Sequence, residues 1–318
     1  MGRRGLRAIV THTDLDGVAS AALVIKTLGD VDRVFFAQPH QLHAVLCKIP
    51  NSSEVYIADL GVNQGTLEKV VREISRIVSS GGRIRWFDHH VWDEAWLKAV
   101  RGAGAEVWVD RGTCGAGVVA KYLPARGEGV DDIVSAACSI DLWMFSDWRG
   151  NFLARFVGLK EGGRWRERVA RKLASSGSNL VDEEVVKAAE AMMDRELKIY
   201  SKVVREARVA RVGRYVIAYY LKPRSEHVTS YIGNLLISRF NADIALICRE
   251  GSLSLRSREV NVREIAKALG GGGHPQAAGA PARPPLLIRL LAIFRVKTPL
   301  LNWCFRKVAQ AITGCDHG

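Results

Sequence analysis

The chain has 318 residues, of which 48% are hydrophobic and 25% charged. That length allows two domains that each bury a core, and that balance is that of a globular chain rather than a disordered or membrane one. A net charge of +13 and a pI near 9.7 favour an anionic partner, or else a basic solvated surface of the kind seen on thermophilic and archaeal proteins.

Met1 to Val10 carries basic residues but no apolar leader, and no run reaches the roughly 18 apolar residues that span a bilayer. A cytoplasmic address with no membrane span is the expectation. Leu6 to Thr11 reads as a strand, His12 to Asp16 as a polar loop and Val18 to Leu28 as a helix. Glu54 to Ala58 repeats the pattern, followed by Asp59 and a helical stretch from Gly65 to Ser79. Asn51-Ser52-Ser53, just before it, is a polar loop rather than a glycosylation site. Arg83 to Phe87 is a third such strand, followed by Asp88, His89 and His90. A fourth strand, Glu106 to Val109, precedes helices at Gly115 to Tyr122 and Asp131 to Asp141. Strands alternating with helices predict a parallel α/β sheet, whose ligand sites lie at the strands' carboxyl ends.

Val181 to Ala207 is long, charged and helical, as suits a connector. Beyond it the spacing predicts strands at Arg214 to Tyr220, Asp243 to Arg249 and Ser252 to Ser257. Helices are expected at His227 to Arg239 and Val262 to Leu269, ahead of the glycine run Gly270 to Gly273 and His274. The last segment sets Leu286, Leu287, Ile288, Leu290, Leu291, Ile293 and Phe294 among Arg283, Arg289, Arg295, Lys297, Arg306 and Lys307, against a single acid, Asp316. Such a segment lies on a membrane, a partner or nucleic acid, or packs as an amphipathic helix on its own domain. The six cysteines, Cys47, Cys114, Cys138, Cys248, Cys304 and Cys315, include no C-x-x-C pair. They suggest neither a zinc knuckle nor a disulfide framework, and most are read as small core residues.

Taken singly, an acid at a strand end is an N-cap or turn carboxylate. Taken together, His12, Asp14, Asp16, Asp59, Asp88 and Asp141 cannot converge without cations, since two like charges about 4 Å apart repel by roughly 4 kcal/mol at an effective dielectric near 20. Oxygen-rich sites with one or two imidazoles suit Mn²⁺ or Mg²⁺ better than zinc. Two such ions lower a water's pKa and stabilise both oxygens of an in-line displacement at phosphorus, which makes phosphoester hydrolysis the natural use.

His12-Thr13-Asp14-Leu15-Asp16-Gly17, the isolated Asp59, Asp88-His89-His90, and Asp141 in Ala136-Ala137-Cys138-Ser139-Ile140-Asp141 resemble, in order and spacing, four motifs of the DHH phosphoesterases. Ser254-Leu255-Arg256-Ser257 and Gly270-Gly271-Gly272-Gly273-His274-Pro275-Gln276-Ala277-Ala278-Gly279 resemble the companion DHHA1 half, so that the likeness runs over about residues 6–280. Some members place the first histidine four residues before the first aspartate. Here it stands two before, as in RecJ-like variants.

The resemblance, to a RecJ-like or oligoribonuclease-like enzyme of archaeal type, implies a parallel-sheet α/β DHH domain at residues 1–185, a helical linker at 186–207 and a smaller α/β DHHA1 domain at 208–280. A basic amphipathic extension follows at 281–318. It implies two Mn²⁺ or Mg²⁺ ions per active site, one held by His12, Asp14 and Asp59, the other by Asp16, Asp59, His89 and Asp141. Asp88 would orient a neighbouring ligand imidazole from behind, and His90 would face the scissile phosphate. Arg256, Gly271, Gly272, Gly273 and His274 would grip substrate phosphates, in a cleft that closes between the domains. Trp86, Trp92, Trp96, Trp143 and Trp148 pack in cores or offer stacking faces.

The expected substrate is short single-stranded RNA or DNA. The alternatives are a small nucleotide or cyclic dinucleotide, or no substrate at all in an inactive replication or repair scaffold. The extension could serve a homodimer or a protein partner.

Overall fold

The computed structural model describes residues 5–29, 31–123, 127–222, 229–294, 296 and 298–315. It divides into two compact units, residues 1–190 and 191–318.

In the first unit β1 (Arg7–Thr11), β2 (Arg33–Phe36), β3 (Glu54–Ala58), β4 (Arg83–Asp88) and β5 (Glu106–Val109) form one sheet in the order β2-β1-β3-β4-β5. Every neighbouring pair is parallel. The helices, in chain order, are α1 (Leu15–Leu28), α2 (Leu42–Leu46), α3 (Leu67–Ser79), α4 (Glu94–Gly102), α5 (Gly115–Tyr122), α6 (Val130–Asp141), α7 (Trp148–Gly158), α8 (Gly163–Ser175) and α9 (Glu183–Glu206), which runs across the division.

Strand alternation sorts the core into two layers. Ile9, Tyr56 and Phe87 face one side, with the buried faces of α1, α5, α6, α7 and α8. Ala8, Val10, Val55, Ile57, Ile84 and Trp86 face the other, with α2, α3 and α4. Strand order reverses between β1 and β3, so the loops that follow these two strands open at the topological switch point where doubly wound sheets bind ligands.

The second unit holds β6 (Arg208–Val212), β7 (Tyr215–Leu221), α10 (Thr229–Phe240), β8 (Ile244–Arg249), β9 (Ser252–Arg256), α11 (Val262–Ala268), β10 (Gly272–Gly273), β11 (Ala277–Pro281), α12 (Leu286–Ile293) and α13 (Thr298–Cys315). Its sheet runs β10-β11-β9-β8-β7-β6 and is mixed, with β7 and β8 the parallel pair. The expected helix start at His227 lies outside the described residues, as do Arg295, Lys297 and Asp316 of the last segment.

That last segment is two helices. Leu300, Leu301, Cys304, Val308 and Ile312 of α13 are buried in the core of its own unit, whereas Leu286, Leu287, Leu290, Ile293 and Phe294 in and just after α12 are exposed. Among the described residues no helix is long and apolar enough to cross a membrane.

The cysteines correct one expectation. Cys114 and Cys138, 24 residues apart, form a disulfide with their Cα atoms 5.1 Å apart. The pairing comes from the packing of α5 against α6, which no sequence spacing encodes. Cys47, Cys248 and Cys304 are free, the last two buried.

Candidate metal centre

Three strand ends and one helix end of the first unit supply the cluster. β1 ends at Thr11, whose hydroxyl donates to the carbonyls of Gly17 and Ala58 at 2.9 and 3.0 Å and so ties the loop after β1 to the end of β3. Arg166 from α8 donates to the Thr13 carbonyl at 2.7 Å, fixing the same loop from outside.

Asp14 is the N-cap of α1. Its Oδ1 accepts from Gly17 N at 3.1 Å while its Oδ2 lies 2.7 Å from His12 Nδ1, so the capping reading and the cluster reading both hold for this residue. Gln38 Oε1 lies 3.2 Å from the other His12 nitrogen. Burial alone would lower the His12 imidazole, but the adjoining Asp14 carboxylate overrides it and raises the pKa to about 9. Burial likewise opposes ionisation of Asp14, yet His12 holds it below the usual carboxylate range.

Asp16 is buried, and its two oxygens accept from the backbone N–H groups of Gly115 and Ala116 at 2.6 and 2.8 Å, at the N-terminus of α5. A Cβ at Gly115 would stand 2.6 Å from Asp59 Cβ, so only glycine lets α5 approach this closely. Asp59 itself is buried and takes a left-handed backbone, φ 53°, a conformation that aspartate tolerates better than most residues.

His89 Nε2 lies 3.8 Å from Asp16 Oδ2, 3.3 Å from Asp59 Oδ1 and 3.5 Å from Asp141 Oδ2, the last carried at the end of α6. Burial, with the surrounding acids, raises Asp59 and Asp141 well above the carboxylate range, and burial raises Asp16 too.

Asp88 departs from its expected part. Its Oδ1 lies 2.7 Å from Nδ1 of His90, two residues along, and its Oδ2 accepts from Trp92 Nε1 at 2.5 Å. The imidazole it orients is therefore His90. The adjacent His89 instead turns its Nε2 toward Asp16, Asp59 and Asp141. Burial would lower His90, but Asp88 raises it to about 9, and His90 in turn holds Asp88 below its ordinary value despite burial.

The residues fit a divalent metal. Within the first unit three sets offer ligand atoms within 4.8 Å of one another: His12, Asp14 and Asp59; Asp16, Asp59 and His89; and Asp59, Asp88 and His90. Asp59 belongs to all three. Its Oδ2 and the Oδ2 of Asp141 are buried with no hydrogen-bond partner among the described residues. Buried carboxylate oxygens left without a donor, beside further acids, are what cations relieve.

In the second unit Arg256 at the end of β9 is a cation with no carboxylate partner among the described residues. It donates to the Leu255 carbonyl at 2.9 Å and to Ser230 Oγ at 3.3 Å, its Nε is buried without a partner among those residues, and burial lowers it to about 10. Buried Lys222 donates to Thr229 Oγ1 at 2.8 Å at the start of α10.

The glycine run is accounted for mainly by its own hairpin. A Cβ at Gly271 would stand 2.0 Å from the Gly279 carbonyl oxygen, and one at Gly273, φ 132°, 2.6 Å from that of Ala277. Only Gly272 of the three has open space around it. His274 sits in the turn between β10 and β11.

The sequence shows no sign of Gln38 at the cluster or of the disulfide, and it assigns Trp92 only to a core or a stacking face and Gly115 only to a helix start. Each acts on a motif residue from a distant stretch of chain or through a group that carries no motif of its own.

Residues 213–295 match the DHHA1 domain. No curated protein matches the chain. Among solved structures it is similar to the pGpG-specific phosphodiesterase PggH from Vibrio cholerae, at 14% identity and a TM-score of 0.54 over 94% of this chain and 99% of that one. It is similar to RecJ from Thermus thermophilus in complex with Mn²⁺, at 15% identity and a TM-score of 0.59 over 98% of this chain, and it spans 53% of that RecJ chain. An exopolyphosphatase-related protein from Bacteroides fragilis matches at 13% identity, with a TM-score of 0.51 over 96% of this chain and 94% of that one. Residues 213–295 are thus a DHHA1 domain, and the chain shares its fold with these phosphodiesterase, exonuclease and exopolyphosphatase-related structures.

Proposed function

We propose that the chain is a divalent-metal-dependent phosphodiesterase that hydrolyses short single-stranded oligonucleotides, down to dinucleotides. The observation that carries this reading is the position of Asp59, buried, shared by three ligand sets and left with an oxygen that has no partner among the described residues.

His12, Asp14 and Asp59 would hold one Mn²⁺ or Mg²⁺ ion, and Asp16, Asp59, His89 and Asp141 a second. Ions bound there supply positive charge for the phosphoryl oxygens and ease deprotonation of water. The chain's own part is orientation and proton transfer. The N–H groups of α5 fix Asp16, and the Asp14 and Gln38 side chains fix His12. Asp88 engages His90 through Nδ1 and so fixes its ring, from which Nε2 would give a proton to the leaving oxygen. Arg256, desolvated and with no acid partner among the described residues, is suited to bind a substrate phosphate with its planar fork.

A substrate as small as a dinucleotide is supported by the likeness, over nearly the whole length of both chains, to a phosphodiesterase specific for pGpG. An inactive scaffold is disfavoured, because it has no use for several desolvated acids around one imidazole.

The test incubates the protein with Mn²⁺ or with EDTA on 5′-labelled RNA and DNA of about 2 to 24 nucleotides, cyclic dinucleotides and adenosine bisphosphate, with Asp59→Asn as the control. Mn²⁺-dependent loss of the shortest oligomers, absent from the variant, is expected. Turnover of the bisphosphate alone would replace the reading with a phosphatase, and no turnover of any substrate would overturn it.

A further inference from the structure

The disulfide has no part in the reaction as proposed, yet it joins α5, whose first N–H groups hold Asp16, to α6, which carries Asp141. Cys114 is the N-cap of α5, and the next two residues, Gly115 and Ala116, are the ones whose N–H groups hold Asp16. Cys138 lies on α6 three residues before Asp141, and so on the turn that precedes it. Asp16 Oδ2 and Asp141 Oδ2 converge on one atom, His89 Nε2, at 3.8 and 3.5 Å.

We propose that the Cys114–Cys138 bridge is a positioning device for the second ion, clamping the N-terminus of α5 to the last turn of α6 so that Asp16 and Asp141 keep their spacing around His89. The inference rests on the metal-centre reading above.

Three features make the clamp specific. The hydrogen bonds that hold Asp16 among the described residues come from backbone donors of α5, so any sliding of that helix moves the carboxylate directly. Gly115 brings α5 so close to Asp59 that even a Cβ there would stand 2.6 Å from the Asp59 Cβ, so the helix has little room to move toward the centre. Both cysteines are shut from solvent, with Cys114 at 0% and Cys138 at 8% exposure, so the bridge acts as a permanent part of the fold rather than a redox sensor. The other group, His12, Asp14 and Asp59, is built from the loops after β1 and β3 and contains neither Asp16, which α5 holds, nor Asp141 of α6.

The test is a calorimetric Mn²⁺ titration of the full chain, comparing wild type, Cys114→Ala/Cys138→Ala, the larger replacement Cys114→Ser/Cys138→Val, and Cys248→Ala/Cys304→Ala as a control for loss of two buried cysteines elsewhere. Thiol counting on denatured wild type first establishes the bridge. The clamp predicts that affinity for one ion falls about 10- to 100-fold, the range for residues that orient ligands from behind, while the other ion and the control pair are unchanged. A general loss of stability would weaken both ions alike and would overturn the clamp. Two ions bound with wild-type affinities in either bridge variant, or free thiols at Cys114 and Cys138 in wild type, would overturn the clamp and leave the metal-centre reading intact. A wild type that binds no Mn²⁺ would overturn both. If neither double variant folds, the same titration on the near-isosteric single variants Cys114→Ser and Cys138→Ser, each of which breaks the bridge, decides between these outcomes.

Discussion

His90 Nδ1 lies 2.7 Å from Asp88 Oδ1, and Trp92 Nε1 closes on the other oxygen of that carboxylate, so a buried acid, an indole and an imidazole form one chain of contacts. The arrangement gives Asp88 the task of orienting a proton donor. Asp88→Asn should therefore lower turnover by about 10²- to 10⁴-fold, the usual worth of a positioned acid or base, while Mn²⁺ still binds. Single-turnover kinetics beside a calorimetric titration would check this, and a matching loss of metal would make Asp88 a ligand instead.

Stability without metal should depend on pH. His12 and His90 are raised from the ordinary 6.5 to about 9 in the fold, so their contribution is complete below pH 6.5 and is lost as pH rises toward 9. Asp59 and Asp141, raised by burial and by neighbouring acids, also disfavour the folded state once they must ionise. Both effects have one sign. Melting in EDTA should fall steadily from pH 6.5 to 9, and the gain in Tm from added Mn²⁺ should grow over the same range.

Arg256→Ala should weaken substrate binding without unfolding the second unit, because the cation it removes is desolvated and has no acid partner among the described residues. A rise in KM for phosphate-bearing substrates, with Tm unchanged or higher, is expected. A clear drop in Tm would mean that the contacts to Leu255 and Ser230 are structural.

Leu300 and Leu301 are buried in the core of the second unit although they fall in the basic last segment. Leu300→Ala should cost about 2–5 kcal/mol, and deletion from Pro281 onward should unfold that unit. The exposed Leu286 and Leu287 of α12 should tolerate alanine, and chemical denaturation would separate the two cases.

The first unit is legible because each strand of its central sheet that leads to the cluster is a short apolar run ending in acid, and Leu6 to Thr11, Glu54 to Ala58 and Arg83 to Phe87 are all strands within a residue of the reading. The short strand Arg33–Phe36 and the helices Trp148–Gly158 and Gly163–Ser175 escape it, since their apolar positions are few and mixed with Arg and Gly. In the second unit β6, with two arginines in five residues, is an edge strand whose pattern is too polar to see. The cluster itself is readable from its residue types. Its internal wiring is not, because the donors to Asp16 are backbone groups about 100 residues away and Asp88 passes over its sequence neighbour for His90.

The most direct test of the account is the melting temperature of wild type and Asp59→Asn, each in EDTA and in Mn²⁺. Asparagine keeps the left-handed backbone at that position and removes one buried charge. The variant should melt higher than wild type in EDTA and gain little from Mn²⁺, while wild type gains strongly. A full Mn²⁺ gain in the variant, or none in wild type, would contradict it.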